Sequence, residues 1–544
     1  SALGSNALAA NTTADNNTAV GYLALTANTT GPENVAIGAN ALDANTTGAE
    51  NSAIGYNSLG ANTTGGGNAA SGRKALQLNT TGAENTAMGA TALASNTTAS
   101  YNTAVGFRSL YLNTTGTQNT AVGFESLKAH TTSNDCVAVG WQSQLSSTTG
   151  AANVSIGGGS LRTVTTSSNN VAIGNASQYV STAANNTSVG AESLRYNTTG
   201  ASNTAVGYQS LYANTTASNN TAVGLSALRD NTTGSENTAT GTYALLVNTT
   251  GANNVAIGYA SLAANTTGHS NVALGKSSMT ANTTGIRNTG VGFYAFAANT
   301  TGDYNTALGY AALDANTTAD NNTALGYAAL SANTTGSANT AVGYNALTAN
   351  TTASNNTAVG YRALDTVTTG LNNIAVGLQA LDLLTTGAQN SALGTFALNT
   401  TTTGTYNAGI GYGAASSSAT ASGEVTLGNA NVGTLRCNTQ TISSLSDVRD
   451  KTDIIDLPYG LDFINQTRPV QFKWDSRDGN IKDGETNNGF IAQELLALGS
   501  NEQHKLVLTE NPEKLEAAYA GLLPMMVKAI QELSAKNDAL VARI

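Results

Sequence analysis

Ser446 and Lys451 are the two side chains whose types could carry covalent chemistry, and they stand five residues apart in Leu445-Ser446-Asp447-Val448-Arg449-Asp450-Lys451. A serine hydroxyl is a weak nucleophile until a neighbouring base takes its proton. A lysine amine can be that base when burial lowers its pKa enough to leave it neutral. The pair alone means little, because surface loops supply Ser and Lys at this separation constantly, and Asp447 and Asp450 favour the charged form of Lys451. What singles the stretch out is its place in the chain. Of the 54 charged residues (22 basic, 32 acidic), 27 lie in the 99 residues from Ser446 to Ile544 and 27 are spread over the 445 before them.

Other reactive groups are sparse. Cys136 and Cys437 lie far apart without metal-ligand spacing, and His130, His269 and His504 are equally scattered, so no metal site or cofactor is expected. The acidic balance, a formal net charge of -10, offers no basic stripe for phosphate and argues against nucleic acid as a partner. No apolar run reaches the roughly 18 residues of a membrane helix, so membrane insertion is not expected either. Ser1 opens partway through a repeat with no initiator Met, which reads as a fragment of a longer chain.

Before Ser446 the chain is repetitive. Asn11, Asn28, Asn45, Asn62, Asn79, Asn96 and Asn113 recur every 17 residues in the pattern N-T-T-G-x-x-N-T-A-V-G-Y-x-A-L-x-A. The period continues to Ser418 with one single-residue deletion between Val164 and Val180, giving 25 repeat starts, and the glycine of A-V-G stands in every one from Gly21 to Gly428. Each unit offers two short apolar clusters split by N-T-T-G, too broken for an amphipathic helix and suited to short strands and tight turns. A 17-residue unit cannot bury its own Val and Leu, so the spacing predicts a β-solenoid in which each coil stacks on the next. At about 4.8 Å per coil the rod would be on the order of 120 Å long.

Position by position, the slot after Ala (Val20, Ile37, Ile54, Val105, Val206, Leu308) and the Leu slot (Leu25, Leu42, Leu59, Leu110, Leu313) are expected to form core ladders. The small residue and the Gly flanking the first slot imply close backbone approach. Asn is expected at turns, in left-handed backbone and in hydrogen bonds along the stack. The aromatic slot after Gly (Tyr22, Tyr56, Phe107, Phe124, Trp141, Tyr208, Phe293, Tyr310, Tyr327) fits either stacked packing or a sugar platform, with packing preferred. The N-T-T triplets match the N-glycosylation sequon because the turn recurs, not through any sign of a secretory route. Adjacent Thr residues point to opposite faces of a strand, which disfavours a flat ice-binding array.

The repeat wording resembles the head repeats of trimeric autotransporter adhesins and the repeats of phage tail-fibre shafts. Residues 429–445 lose the period and read as a neck or cap. From Ser446 onward, S-D-V-R-D-K-T-D-I-I-D-L-P-Y-G-L-D-F-I-N, R-P-V-Q-F-K-W-D, G-F-I-A-Q-E and a final A-I-Q-E-L resemble the self-cleaving intramolecular chaperone domain of phage tailspikes and tail fibres, the family typified by endosialidase tailspikes. That resemblance implies Ser446 as nucleophile, Lys451 as general base and Leu445-Ser446 as the scissile bond, reached by an N-to-O acyl shift and ester hydrolysis. It also implies a homotrimer.

The terminal helix, expected from about residue 515, supports self-association independently. Tyr519, Leu523, Met526, Ile530, Leu533, Asn537, Leu540 and Ile544 alternate by four and three residues, a coiled-coil seam with Leu523, Ile530, Asn537 and Ile544 at a positions. Heptads alone leave the strand number open, and the a-position Asn favours dimers, whereas the resemblance implies three chains. The expected architecture is therefore mainly β: a solenoid shaft over 1–428, a neck over 429–445, and a small α+β chaperone domain over 446–544. The expected role is a phage tail-fibre shaft that meets a host-surface glycan or protein receptor, with autoproteolysis as its only catalysis. A bacterial surface adhesin is the alternative. A glycan-degrading tailspike is less favoured, because Asp and Glu fall mainly at variable repeat positions such as Glu33, Glu50, Glu84 and Asp303 rather than in a fixed pair.

Overall fold

A computed structural model describes residues 1–432, 435–436, 446–475, 484, 486–499, 505–509 and 515–544. It divides into two units, Ser1–Ser337 and Ala338–Ile544.

The first unit is a β-solenoid. Each 17-residue coil contributes one three-residue strand, such as Thr18–Val20, Val35–Ile37 or Thr204–Val206. Strands of successive coils pair in parallel at equivalent positions, with Thr18 opposite Val35, Ala19 opposite Ala36 and Val20 opposite Ile37. The rest of the coil is turns, yet it is hydrogen-bonded to both neighbours. Leu25 N donates forward to Ala41 O at 3.0 Å, and Glu33 N donates back to Asp15 O at 3.0 Å. The single-residue deletion is absorbed without a break, since Val171, Ala172 and Ile173 pair with Thr187, Ser188 and Val189.

One core expectation is corrected. The Leu slot is fully buried, but the residue that points inward from the strand is the Ala, not the branched residue after it. Ala19, Ala36 and Ala53 are sealed, whereas Ile37, Ile54 and Leu308 are 40 to 46% exposed. Alternate strand residues face opposite ways, and the coil is too thin to take a large side chain opposite Leu. Even an added methyl is tight: a Cβ at Gly290 would lie 2.8 Å from Met279 Cγ. The glycine expectation holds. Gly21 sits at φ +135°, and a Cβ there would meet Gly38 O of the next coil at 2.6 Å, which leaves no room for any side chain.

In most coils two asparagines are interior residues. Asn45 Nδ2 donates to Asn28 Oδ1 one coil back and to Gly48 O in its own turn, both at 2.9 Å, while Asn51 N donates to Asn34 Oδ1 at 2.9 Å. Their backbones are not left-handed. Those conformations fall on the buried Leu (Leu25 φ 51°, Leu42 φ 51°), on the residue two before it (Asn40 φ 57°, Asn57 φ 55°) and on the residue before the second Asn (Glu33 φ 61°). With both amide protons committed and the side chain sealed, Asn28 or Asn45 offers no acceptor to a glycosylating enzyme. The first Thr of each triplet is also engaged, Thr29 Oγ1 donating to Thr46 O at 3.0 Å.

The second unit begins with the same coils, its three-residue strands running from Thr340–Val342 to Val425–Leu427. Beyond them comes an α+β region. Helix α1 (Leu461–Ile464) is followed by a hairpin of Val470–Lys473 against Thr486–Gly489, then α2 (Ala492–Ala497), a short antiparallel pair of Val507–Leu508 with Glu516–Ala517, and the 20-residue α3 (Leu522–Val541). Its core joins Phe463, Leu506, Leu522 and Met525, with Tyr459, Ile464 and Phe490 packed around them.

Candidate functional site

A 3-10 turn, Val448–Asp450, brings Ser446 and Lys451 together. Asp447 caps it: its carboxylate accepts from Arg449 N at 2.9 Å and from the Arg449 guanidinium Nε at 3.0 Å. Lys451 closes the other end, its N donating to Val448 O at 3.2 Å. The lysine side chain is thereby folded back on the serine. Lys451 Nζ lies 2.6 Å from Ser446 Oγ and 3.3 Å from Ser446 O, both side chains exposed.

The sequence placed two acids beside this lysine. Asp447 proves to be committed to Arg449, whose hydrogen bonds hold the carboxyl below its ordinary value. Its negative charge therefore faces a guanidinium rather than the amine. The Nζ to Oγ distance is one across which a proton can pass once the amine is neutral. Leu445, on the other side of the expected scissile bond, lies outside the described residues, as do Cys437 and His504.

The predicted helix seam divides in an informative way. On α3, Leu522, Met525 and Ala529 are buried against α1 and its surroundings, whereas Leu523, Met526, Ile530, Leu533, Asn537 and Leu540 face outward, as does Ile544 just past the helix. Ile530 is 65% exposed, a large value for an isoleucine within a helix. Tyr519 departs from the heptad pattern. It lies in the 3-10 turn before α3, and its ring sits 5.7 Å from that of Phe490 in the same chain.

Sequence reasoning missed the contact that fixes α3. Glu532 Oε2 accepts from Leu461 N at 2.8 Å, satisfying the first turn of α1, and Gly460 leaves room for that carboxylate, which a Cβ would meet at 2.5 Å. Both residues fall inside recognisable motifs, but 71 positions separate the partners and no spacing rule links them. In the solenoid, the aromatic slot stacks in ladders, Tyr310 on Tyr327 at 5.1 Å and 7° and Tyr344 on Tyr361 at 5.3 Å and 9°, as the packing reading expects.

The architecture is that of a stacked-coil shaft followed by a small α+β domain with a paired Ser and Lys at its first residues. Residues 446–504 match the family described as chaperone of endosialidase. The chain thus carries a chaperone-of-endosialidase domain behind a β-solenoid, and the matched span starts at Ser446 and ends before α3. No curated protein and no solved structure matches the chain. Among the described residues, no helix is long and apolar enough to cross a membrane.

Proposed function

We propose that this chain is the shaft of a homotrimeric, receptor-binding fibre of the phage tail type, whose C-terminal domain gathers three chains, sets their register and then cuts itself off at Leu445-Ser446. The observation that carries the reading is the contact of Lys451 Nζ with Ser446 Oγ at the first residue of a matched chaperone domain on the C-terminal side of the repeats.

In this reading Ser446 Oγ attacks the carbonyl carbon of Leu445 while Lys451 accepts the hydroxyl proton. The C–N bond breaks as that proton passes to the departing Ser446 nitrogen, leaving Leu445 esterified to Ser446 Oγ. Water then hydrolyses the ester, yielding a Leu445 carboxylate and a Ser446 with free amine and hydroxyl. Lys451 is exposed in the single chain, and a neutral amine is favoured by desolvation. Cutting is therefore expected to follow assembly, when neighbouring chains can cover the amine.

The chaperone answers a problem set by the repeats. Near-identical coils let chains align one repeat out of step at little loss of contact, so the shaft specifies its own register poorly. A distinct trimerising end supplies a common start.

The test is mass spectrometry of the purified full chain under denaturing and native conditions. The expected result is two fragments meeting at Leu445-Ser446 in a trimeric particle, and a single uncut chain for Ser446→Ala. Cleavage persisting in Ser446→Ala removes the assignment.

A further inference from the structure

The strands carry an unpartnered face. Each three-residue strand before the last points its middle residue inward and its first and third outward, and the described residues include 25 three-residue strands from Thr18–Val20 to Val425–Leu427. At the outward positions stand Thr, Val, Ile, Leu, Met, Ser and Ala, and no charged residue occurs at either position in any of the 25. Charge is available elsewhere in the same coils, at Glu33, Glu50, Lys74 and Arg108 for example. A face made for water would have taken some of it.

We infer that this charge-free strand face is the surface along which chains of the shaft pack on one another, its partner being a second copy of this chain. The inference rests on the self-assembly reading above and names the face that the assembly buries.

Three observations select this occupant. The first is size. In the first unit alone, 19 outward-facing pairs stacked at about 4.8 Å make a stripe about 90 Å long and roughly 10 Å wide, on the order of 900 Å². About 800 Å² per partner is an ordinary protein interface, so this uncharged stripe is large enough to hold a second chain. The second is period. The stripe repeats once per coil, and a partner able to match it over the whole length needs the same coil spacing, which another copy has by construction. The third is chemistry. The third positions form a mostly aliphatic row (Val206, Val223, Ile257, Leu308) beside a row in which Thr predominates (Thr204, Thr221, Thr306), and uncharged, largely β-branched side chains of this kind suit packing between sheets.

Thiol labelling of the full chain tests this. Leu308→Cys and Met88→Cys place a thiol on the stripe at positions 46% and 51% exposed in the single chain, and Thr301→Cys places one on the exposed turn of a coil. The native protein, with its own cysteines as background, is treated with a maleimide while its assembly state is followed by sedimentation. The inference expects trimers in which both stripe thiols react at least about tenfold more slowly than Thr301→Cys, with the difference vanishing on denaturation. Trimers whose stripe thiols react as fast as the turn thiol would overturn the inference and leave the assembly reading standing. Monomers would remove both, and stripe thiols protected within a monomer would show that the chain itself covers the face, again overturning it.

Discussion

At the scale of the residue, the contact of Lys451 on Ser446 makes a discriminating substitution available. Lys451→Arg keeps the charge and the capacity to donate to Ser446 Oγ, but a guanidinium stays protonated in proteins and cannot accept the serine proton. Self-cleavage should slow by at least about a hundredfold, the usual share of a general base, with assembly unchanged in sedimentation; cutting at the native rate would clear Lys451 of the role. A second residue is legible only in three dimensions. His130 replaces the first Asn of its coil and donates from Nε2 to Ser133 O at 2.8 Å, but His130 Nδ1 and the preceding Asn113 Oδ1 are both buried without a partner. Burial also pushes the His130 pKa below its ordinary 6.5. The unfolded chain therefore binds the proton more readily, so stability should fall as pH drops below about 6.5 and level off once the folded imidazole also titrates. His130→Asn restores the Asn ladder and removes that proton. It should stabilise the coil by about 1 kcal/mol at neutral pH and by more at pH 5, read as a rise in melting temperature that grows with acidity.

At the scale of the element, periodicity told how often the chain turns but not which way its strand residues face. A-V-G could present either Ala or Val to the core, and the outcome depended on the thickness of the coil, which is set by the Leu side chain opposite and is a property of the packed fold. The Asn positions were readable as hydrogen-bond ladders along the stack, but turn chemistry also suggested left-handed backbone, which the ladder asparagines do not adopt. The Ser-Lys pair was legible through the family motifs around it and not through its spacing alone, and a short turn does hold the two side chains together, whereas the Glu532 contact with Leu461 spans 71 residues and left no local signal. Helix α3 shows both limits at once, because its 4–3 alternation identified an apolar stripe without saying that a neighbouring stripe holds it to its own domain. The two faces should respond differently. Met525→Ala removes a side chain from the intrachain core and should destabilise the domain by about 2 to 5 kcal/mol in a denaturant melt. Ile530→Asp alters an exposed position and should leave the helix signal in circular dichroism intact while removing the registered trimer in sedimentation in favour of monomers or misaligned chains. An Ile530→Asp protein that still sediments as a trimer would place the association elsewhere than this face.

At the scale of the whole molecule, the division of labour between shaft and chaperone predicts an asymmetry between unfolding and refolding. Each coil contacts only its neighbours, so the repeats stabilise one another additively and carry almost no information about where a chain should begin relative to its partners. In the proposed sequence of events residues 446–544 supply that information and leave once they have been used. The cut fibre then lies in a state it can occupy but cannot easily reach again, held by the unfolding barrier rather than by a reversible equilibrium. Ser446→Ala separates the two contributions because it changes one side chain at the turn and none in the solenoid. Full-length Ser446→Ala, unfolded in guanidinium and diluted, should recover trimers with native circular dichroism, since each chain still carries its registering end. The cleaved native protein, treated identically after its chaperone fragment has been removed, should return mostly misaligned or aggregated chains, although its initial unfolding should be equally slow or slower. Equal recovery of trimer from both would mean that the solenoid finds its own register and that the C-terminal domain serves some purpose other than alignment.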